Sequence, residues 1–315
     1  MLGKKILLIT GAALAGAGLL LCGITYAVFG FDRSKLSTSK FHLRDYTADG
    51  DFDNISIKGN TEDISFVLDP GGETKVMCYE EEDSPHVVKV ENNTLFIERE
   101  NKTFWNFGIN FEKPTITVYL PESEYSGLKI ESDTGDVEII KEFSFDQIDL
   151  ELHTGDVTIR SGVKDKISVR TSTGDMDIDT INASALDLDT DTGFIRVTGT
   201  KISGDINIKV DTGRAELDDV SCKGLYSQGD TGDILLNRVT ADGEFHIERS
   251  TGDVRFESSD ADTVYVRTST GNVTGSFLTD KVFITDTHTG KTEVPGASSG
   301  GRCEIKTDTG DIRFK

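Results

Sequence analysis

Apolar and polar residues alternate in short runs through most of residues 126–315. Ile148 and Leu150 show a spacing of two before a Thr-Gly pair, and Val157 and Ile159 show the same spacing after it. A spacing of two places alternate side chains on one face of a β-strand. Each run therefore predicts a short strand with one buried face.

The Thr-Gly pair recurs ten times at gaps of 19 or 20 residues, and such a period is typical of stacked repeats. Each unit is predicted to be two strands meeting at Thr-Gly, closed by a looser third side that carries residues such as Phe143, Val163 and Val239. The glycine supplies the positive φ that a sharp corner needs. The predicted structural turn glycines are Gly135, Gly155, Gly174, Gly193, Gly213, Gly232, Gly252, Gly271, Gly290 and Gly310.

A column of residues that are all charged except Gln228 lies three positions before the threonines of the Thr-Gly pairs. Its sign alternates along Glu151, Arg170, Asp189 and Lys209, and again along Glu248, Arg267, Asp286 and Lys306. Opposite charges attract across paired strands, so this order favours consecutive units lying side by side in register. The predicted fold is all-β, a parallel β-solenoid of about ten coils over residues 126–315, right-handed by the general preference of parallel crossovers.

Residues 41–125 follow other rules and contain strand-like runs separated by turn signals such as DPGG and VENN. They predict a small β-domain that caps the solenoid, because an open sheet edge invites aggregation. Within it, the segment FWNFGINF concentrates Phe104, Trp105, Phe107 and Phe111. These aromatic residues are either a patch for a partner or packing against the first coil.

The N-terminal region divides into a tail (1–5), an uncharged run (6–31) and a polar stalk (32–40). The uncharged run of 26 residues exceeds the roughly 20 needed to cross a bilayer, so it predicts a transmembrane helix. The basic residues on the two sides of the run are nearly equal in number, so the positive-inside rule does not decide the orientation. A five-residue tail most simply stays in the cytoplasm. We therefore expect a single-pass protein of the cell membrane with the rest of the chain outside the cytoplasm.

The net charge of −22 argues against nucleic acid as a partner, since such a surface repels phosphates. An aspartate often follows the Thr-Gly pair. Stacked carboxylates could hold Ca²⁺, or they could accept hydrogen bonds from backbone N–H groups at the turn, which the pattern favours. No cofactor is predicted, and the Ca²⁺ candidates are Asp136, Asp156, Asp175, Asp233 and Asp253.

Nothing in the chain has the spacing of a catalytic or metal-ligand motif. The five histidines are scattered, and the uniform coil length leaves no long loops to enclose a substrate. The four cysteines do not imply a disulfide framework. The sequence predicts a protein that is not an enzyme.

The N-terminal span, the run Ile116–Pro121 and the tandem Ser/Asp-Thr-Gly-Asp-Val units together resemble membrane-anchored bacterial β-strand-repeat proteins, the putative adhesins, whose function is unknown. Some members are linked to envelope stress. The resemblance implies a non-enzymatic interaction or structural module of the cell envelope, bound to an envelope protein, a wall component or its own copies. A sensor that binds cations or cationic peptides is the alternative, and a polysaccharide-active enzyme is the third reading.

Overall fold

The computed structural model describes residues 2–29, 40–99 and 112–315. It consists of one helix, α1 (Leu2–Phe29), followed by 27 strands joined in one sheet system. The first nine strands are Phe41–Thr47 (β1), Asn54–Lys58 (β2), Asp63–Leu68 (β3), Lys75–Glu81 (β4), His86–Glu91 (β5), Thr94–Arg99 (β6), Thr115–Leu120 (β7), Glu124–Thr134 (β8) and Val137–Ile139 (β9).

The remaining strands form the repeated coils. They are Ser144–Thr154 (β10), Val157–Ile159 (β11), Gly162–Thr173 (β12), Met176–Asp179 (β13), Asn182–Ala183 (β14), Ala185–Thr198 (β15), Lys201–Ile202 (β16), Asp205–Asp218 (β17), Ser221–Cys222 (β18), Gly224–Thr231 (β19), Ile234–Asn237 (β20), Thr240–Thr251 (β21), Val254–Thr270 (β22), Val273–Phe277 (β23), Lys281–Thr289 (β24), Thr292–Glu293 (β25), Gly301–Thr309 (β26) and Ile312–Phe314 (β27).

The coils stack in parallel and in register. Leu150 of β10 lies between Ile130 of β8 and Val169 of β12. Thr154 is likewise flanked by the threonines of the two neighbouring coils. The predicted all-β parallel β-solenoid is confirmed, and its right-handed sense stays a prediction.

One continuous apolar core fills the stack. It runs from Ile55 near the N-terminal end to Phe314 near the C-terminal end, and the predicted third side contributes Phe143, Val163 and Val239 to it. A single coil could not bury its inward side chains alone, so the stacking of neighbours is what excludes water from them.

The N-terminal end of the solenoid is closed by a cap that shares this core. Strands β2 and β3 stack in parallel on β8 and β9, and β6 and β7 stack in turn on β2 and β3. Antiparallel strands β5, β4 and β1 then cover β6 and β7. Residues 41–125 thus add two coil-like layers and a lid to the solenoid.

The C-terminal end departs from the predicted order of coils. Strand β26 of the last coil lies between β22 and β24, so the tenth coil is inserted between the eighth and the ninth. The tenth coil offers Cys303, Ile305 and Ile312, which are fully buried, whereas the ninth has Thr285 in the corresponding column. The more apolar coil takes the inner place because more apolar surface leaves water there.

Helix α1 covers most of the predicted segment 6–31. Among the residues that the structure describes, no helix meets the length and apolarity expected of a membrane span. Attachment to a membrane therefore stays a prediction of the sequence.

Candidate functional site

The turn glycines form a column along one edge of the solenoid, and close stacking is the main reason for them. A Cβ atom on Gly155 would lie 2.0 Å from the carbonyl oxygen of Gly135, and one on Gly174 would lie 1.9 Å from that of Gly155. Several corners also have positive φ, such as 151° at Gly155. Any side chain here would force neighbouring coils apart, so the column has a structural role.

The residues after the turn glycines form a second column, which we call the corner ladder. It begins with Asp63 of the cap and continues with Asp136, Asp156, Asp175, Asp233, Asp253, Asn272 and Asp311. Each side chain accepts a hydrogen bond from the backbone N–H of the next coil. Asp136 Oδ1 accepts from Asp156 at 3.0 Å, and Asp156 Oδ1 accepts from Asp175 at 2.8 Å. The corner ladder therefore joins coils, whereas the sequence suggested bonds within each turn.

The second half of the corner ladder follows the order in which the coils stack, with the tenth coil between the eighth and the ninth. Asp253 Oδ1 accepts from the Asn272 N–H at 2.7 Å, and Asn272 Oδ1 accepts from the Asp311 N–H at 2.9 Å. Asp311 Oδ1 then accepts from the Lys291 N–H at 2.7 Å. One oxygen of each carboxylate is engaged in this way, and the second oxygens of Asp136 and Asp311 pair with Lys113 and Arg313. Ca²⁺ binding by the candidate aspartates stays a prediction.

The charged column on the outer face forms in part as predicted. Asp189 lies between Arg170 and Lys209, with a nitrogen of each at 3.4 Å from a carboxylate oxygen. The C-terminal half differs, because Arg267 lies beside Lys306 and not beside Asp286. Glu304 offsets this contact between like charges by pairing with Lys306 at 2.6 Å.

A groove of about 470 Å³ crosses this outer face over β12, β15, β17 and β19. Its lining includes Lys166, Arg170 and Lys209 but only two acidic side chains, Asp187 and Asp189. Each of these cations is ion-paired, Lys166 with Asp187 and both Arg170 and Lys209 with Asp189. Lys209 also pairs with Asp211, so the groove is a polar surface of nearly balanced charge on a chain of net charge −22.

A column of rings extends from one end of the groove. Tyr226 lines the groove and its ring lies 6.2 Å from that of His246, which stacks at 4.7 Å on Tyr265. All three side chains are half-buried. The groove and these rings form one continuous surface, which we call the outer-face groove.

A cluster of buried charges lies inside the N-terminal cap, and we call it the cap cluster: Glu62, Cys78, Glu80, His86 and Arg99. Glu62 and Glu80 are completely buried. Glu80 accepts hydrogen bonds from the Tyr46 hydroxyl at 2.6 Å and from the His86 backbone N–H at 2.8 Å. A second, short hydrogen bond joins Glu80 to His86 Nδ1.

Glu62 lies on the other side of the imidazole. Its Oε1 atom is 3.6 Å from His86 Nε2 and also pairs with Arg99. Its Oε2 atom accepts the backbone N–H groups of Asn60 at 2.6 Å and Thr61 at 3.0 Å. The imidazole is therefore held between two buried carboxylates.

The surroundings shift the acid–base properties of this cluster. Burial alone would raise the pKa of Glu62, but the Arg99 charge, the Asn60 N–H and His86 together hold it below its usual value. Burial, followed by the charges of Glu80 and Glu62, raises the pKa of the Cys78 thiol to about 12. Burial and the hydrogen bond to Glu80 raise the pKa of Tyr46 to about 12.

The comparison with protein families gives a clear assignment. The Toastrack DUF4097 profile matches residues 52–315, which include the cap strands from β2 onward and every coil. The chain belongs to the toastrack family.

Solved structures resemble this toastrack chain in fold. A putative adhesin from Parabacteroides distasonis is 13% identical, with 88% of this chain and 98% of that chain covered and a TM-score of 0.50. A putative adhesin from Bacteroides fragilis is 18% identical, covering 88% and 97% at a TM-score of 0.41. A putative lipid binding protein from Parabacteroides distasonis is 15% identical, covering 89% and 98% at a TM-score of 0.47. No curated protein matches this chain.

The toastrack fold accounts for some predicted residues and leaves others open. It brings the turn glycines and the aspartates into two columns, as their spacing indicated. The predicted aromatic patch of Phe104, Trp105, Phe107 and Phe111 lies outside the described residues.

Sequence reasoning missed the cap cluster, although a signal was present. Val76, Cys78 and Glu80 share the inward-facing phase of β4, and their neighbours are more exposed. A carboxylate in the buried phase of a strand needs a partner, because an unpaired buried charge is costly. The partners Glu62, His86 and Arg99 come from other strands and corners, so the pattern of one strand could not name them.

Proposed function

We propose that this toastrack protein is a non-enzymatic interaction or structural module of the bacterial cell envelope, with the solenoid outside the cytoplasm. The observation that carries the proposal is the form of the solenoid. Most of the described coils are closed by short corners and present long strand faces, and the longest connection among them is the segment 294–300 between β25 and β26. Such a surface suits broad contact with a partner, whereas enzymes usually place their active sites on loops.

The outer-face groove is the proposed contact surface. It offers ion-paired charged groups and planar polar side chains together with the Tyr226 ring, and such a lining fits a polyhydroxylated or charged envelope component. The adhesin descriptions of the structural neighbours agree with an adhesive role, although they bear directly only on fold. Retention at a membrane through residues 6–31 rests on the sequence, and a role in envelope stress rests on the family resemblance.

Binding of the purified full chain to isolated membrane vesicles and to cell-wall sacculi, assayed separately by co-sedimentation, tests this function. We expect saturable binding to one of the two fractions. The double substitution Arg170→Glu and Lys209→Glu should weaken it at least about tenfold, since both charges line the groove. The matched control, Arg255→Glu and Lys201→Glu, makes the same charge change at exposed positions outside the groove.

Failure has two distinct forms. Equal loss of binding in both double variants would mean that overall charge, and not the groove, controls association. No binding to either fraction, together with full protection of the chain from protease added to intact cells, would refute an envelope module outside the cytoplasm.

The alternative, a sensor of cations or cationic peptides, uses the corner ladder. Its support is the column of aspartates, in which a carboxylate such as that of Asp233 bonds the next coil through one of its two oxygens. The effect of Ca²⁺ on the stability of ladder variants distinguishes the two functions.

A further inference from the structure

The cap cluster contains the donor atoms of a transition-metal site. Cys78, Glu80 and His86 are all buried, and one ligand atom from each lies within 4.8 Å of the other two. In tetrahedral Zn²⁺ sites the metal–ligand bonds are about 2.0–2.3 Å long, so these atoms need only a small contraction to surround one ion. Cys78 and Glu80 are two residues apart on β4 and therefore face the same, buried side, and His86 is the first residue of β5.

The groups around the His86 imidazole are those expected around a metal-binding histidine. His86 Nδ1 is hydrogen-bonded to Glu80, and His86 Nε2 has no hydrogen-bond partner among the described residues, although it faces Glu62 Oε1 at 3.6 Å. Metal-bound histidines commonly direct the other ring N–H at a carboxylate, which fixes the tautomer. Glu62 occupies that position behind His86.

The remaining contacts hold Glu80 in place. The Tyr46 hydroxyl and the His86 backbone N–H both donate to its carboxylate, and Arg44 lies 3.4 Å from its Oε1 atom. Arg44 and Arg99 are both partly exposed, so their guanidinium groups form the solvent side of the cluster. They balance the charges of Glu80 and Glu62 when no metal is bound.

The donor set selects the kind of ion. A thiolate and an imidazole favour Zn²⁺ and related transition metals, whereas Ca²⁺ and Mg²⁺ prefer oxygen ligands. We propose that Cys78, Glu80 and His86 of the N-terminal cap form a Zn²⁺-binding site, with Glu62 as the positioning residue behind His86.

Binding displaces two protons in this arrangement. The ion takes the place of the proton in the hydrogen bond between His86 Nδ1 and Glu80, and the Cys78 thiol gives up its proton to become a thiolate. Because carboxylates and burial disfavour that thiolate in the metal-free protein, the positive charge of the ion is what stabilises it. The metal joins β4 to β5 and so stabilises the cap that closes the solenoid.

Co²⁺ titration of the purified, chelator-treated full chain tests the site. We expect a sulfur-to-cobalt charge-transfer band that saturates at one equivalent and disappears when Zn²⁺ is added. Cys78→Ser should abolish the band. Cys303→Ser should retain it, and it is a matched control because Cys303 is also fully buried and burial raises the pKa of its thiol to about 12 as well.

Two further measurements make the test independent of how the Cys78 variant folds. X-ray absorption at the zinc edge of the wild-type chain should show one sulfur among nitrogen and oxygen ligands. Glu62→Gln should keep the band but weaken affinity by about 10–100-fold, as loss of a supporting carboxylate does at other sites. A purely structural role of Glu62 would instead lower stability and leave affinity unchanged.

Several outcomes would overturn the proposal. One is the absence of a charge-transfer band in the wild-type chain with excess Co²⁺. Others are a band that survives Cys78→Ser, or a zinc spectrum without sulfur. Each of these would leave the cap cluster as a metal-free network of buried ion pairs.

Discussion

The corner ladder predicts that stability depends on the side-chain oxygen of each aspartate more than on its charge. Asp253 gives the sharpest test, because its Oδ1 atom accepts both the backbone N–H of Asn272 at 2.7 Å and the Asn272 side-chain N–H at 3.1 Å. Asp253→Ala removes this acceptor. Asp253→Asn keeps an oxygen in the same place, as the natural Asn272 does one coil further along.

The expected magnitude follows from the exposure of the corner. A hydrogen bond to a charged group contributes about 1.5–3 kcal/mol, but water can reach these exposed N–H groups and replace part of it. We therefore expect Asp253→Ala to lower the free energy of unfolding by about 1–2 kcal/mol. For a domain of this size, that corresponds to a fall in the melting temperature of about 2–6 °C.

Thermal unfolding of the full chain, followed by circular dichroism, measures the effect. Asp165→Ala is the control, because the exposed Asp165 carboxylate makes no hydrogen bond or ion pair among the described residues. We expect this control and Asp253→Asn to stay within about 0.5 kcal/mol of wild type. Equal stability of Asp253→Ala and Asp165→Ala would refute the ladder argument.

The same variants distinguish a structural ladder from a Ca²⁺ site. An ion that binds only the folded state raises the melting temperature. Such a rise in the wild-type chain, reduced in Asp253→Asn, would mean that the carboxylate charge binds the ion and would favour the sensing alternative. If millimolar Ca²⁺ leaves both proteins unchanged, the aspartates act as acceptors for the next coil.

Four further predictions concern the corners, the two ends and the membrane. Gly155→Ala should lower the free energy of unfolding by at least about 2 kcal/mol in denaturant unfolding, because its Cβ meets the Gly135 carbonyl. Gly162→Ala should be nearly neutral, because no atom lies closer than 3.5 Å to its Cβ. Equal losses of stability would contradict close stacking. Phe314→Ala should lower the free energy of unfolding by about 3–5 kcal/mol and expose the C-terminal coils to protease, since Phe314 stacks at 5.0 Å on Phe277. Phe314→Leu should lower it less. Unchanged protease resistance would contradict insertion of the last coil. The pKa of Glu62 is depressed in the folded state, so its contribution to the free energy of unfolding is fully present above about pH 4.5 and is lost as the pH falls through the lower folded-state pKa. Glu62→Gln should flatten this part of the stability–pH curve. An unaltered curve would contradict a stabilising role of the Glu62 carboxylate. The full chain should stay with membranes after alkaline carbonate extraction and should be released when residues 6–31 are deleted, whereas extraction of the intact chain would contradict the predicted anchor.

Much of this fold is local and could therefore be predicted from the sequence. The spacing of two between residues such as Ile148 and Leu150 defines strands, and the Thr-Gly corners set the coil length. A constant coil length forces equivalent residues into columns, so the positions of the turn glycines and aspartates followed directly. The partner of each aspartate did not, because the sequence could not show that the acceptor reaches the next coil.

The tertiary structure decided the order of the coils and the composition of the cap cluster. The tenth coil lies inside the ninth because Ile305 and Ile312 bury more apolar surface than their counterparts there, and this comparison involves strands far apart in the chain. Glu62, Glu80 and His86 likewise meet only when the cap closes over the first coils. The repeating unit could therefore be predicted from local sequence, while the order of the coils at the C-terminal end and the buried charges depended on which distant segments exclude water from one another.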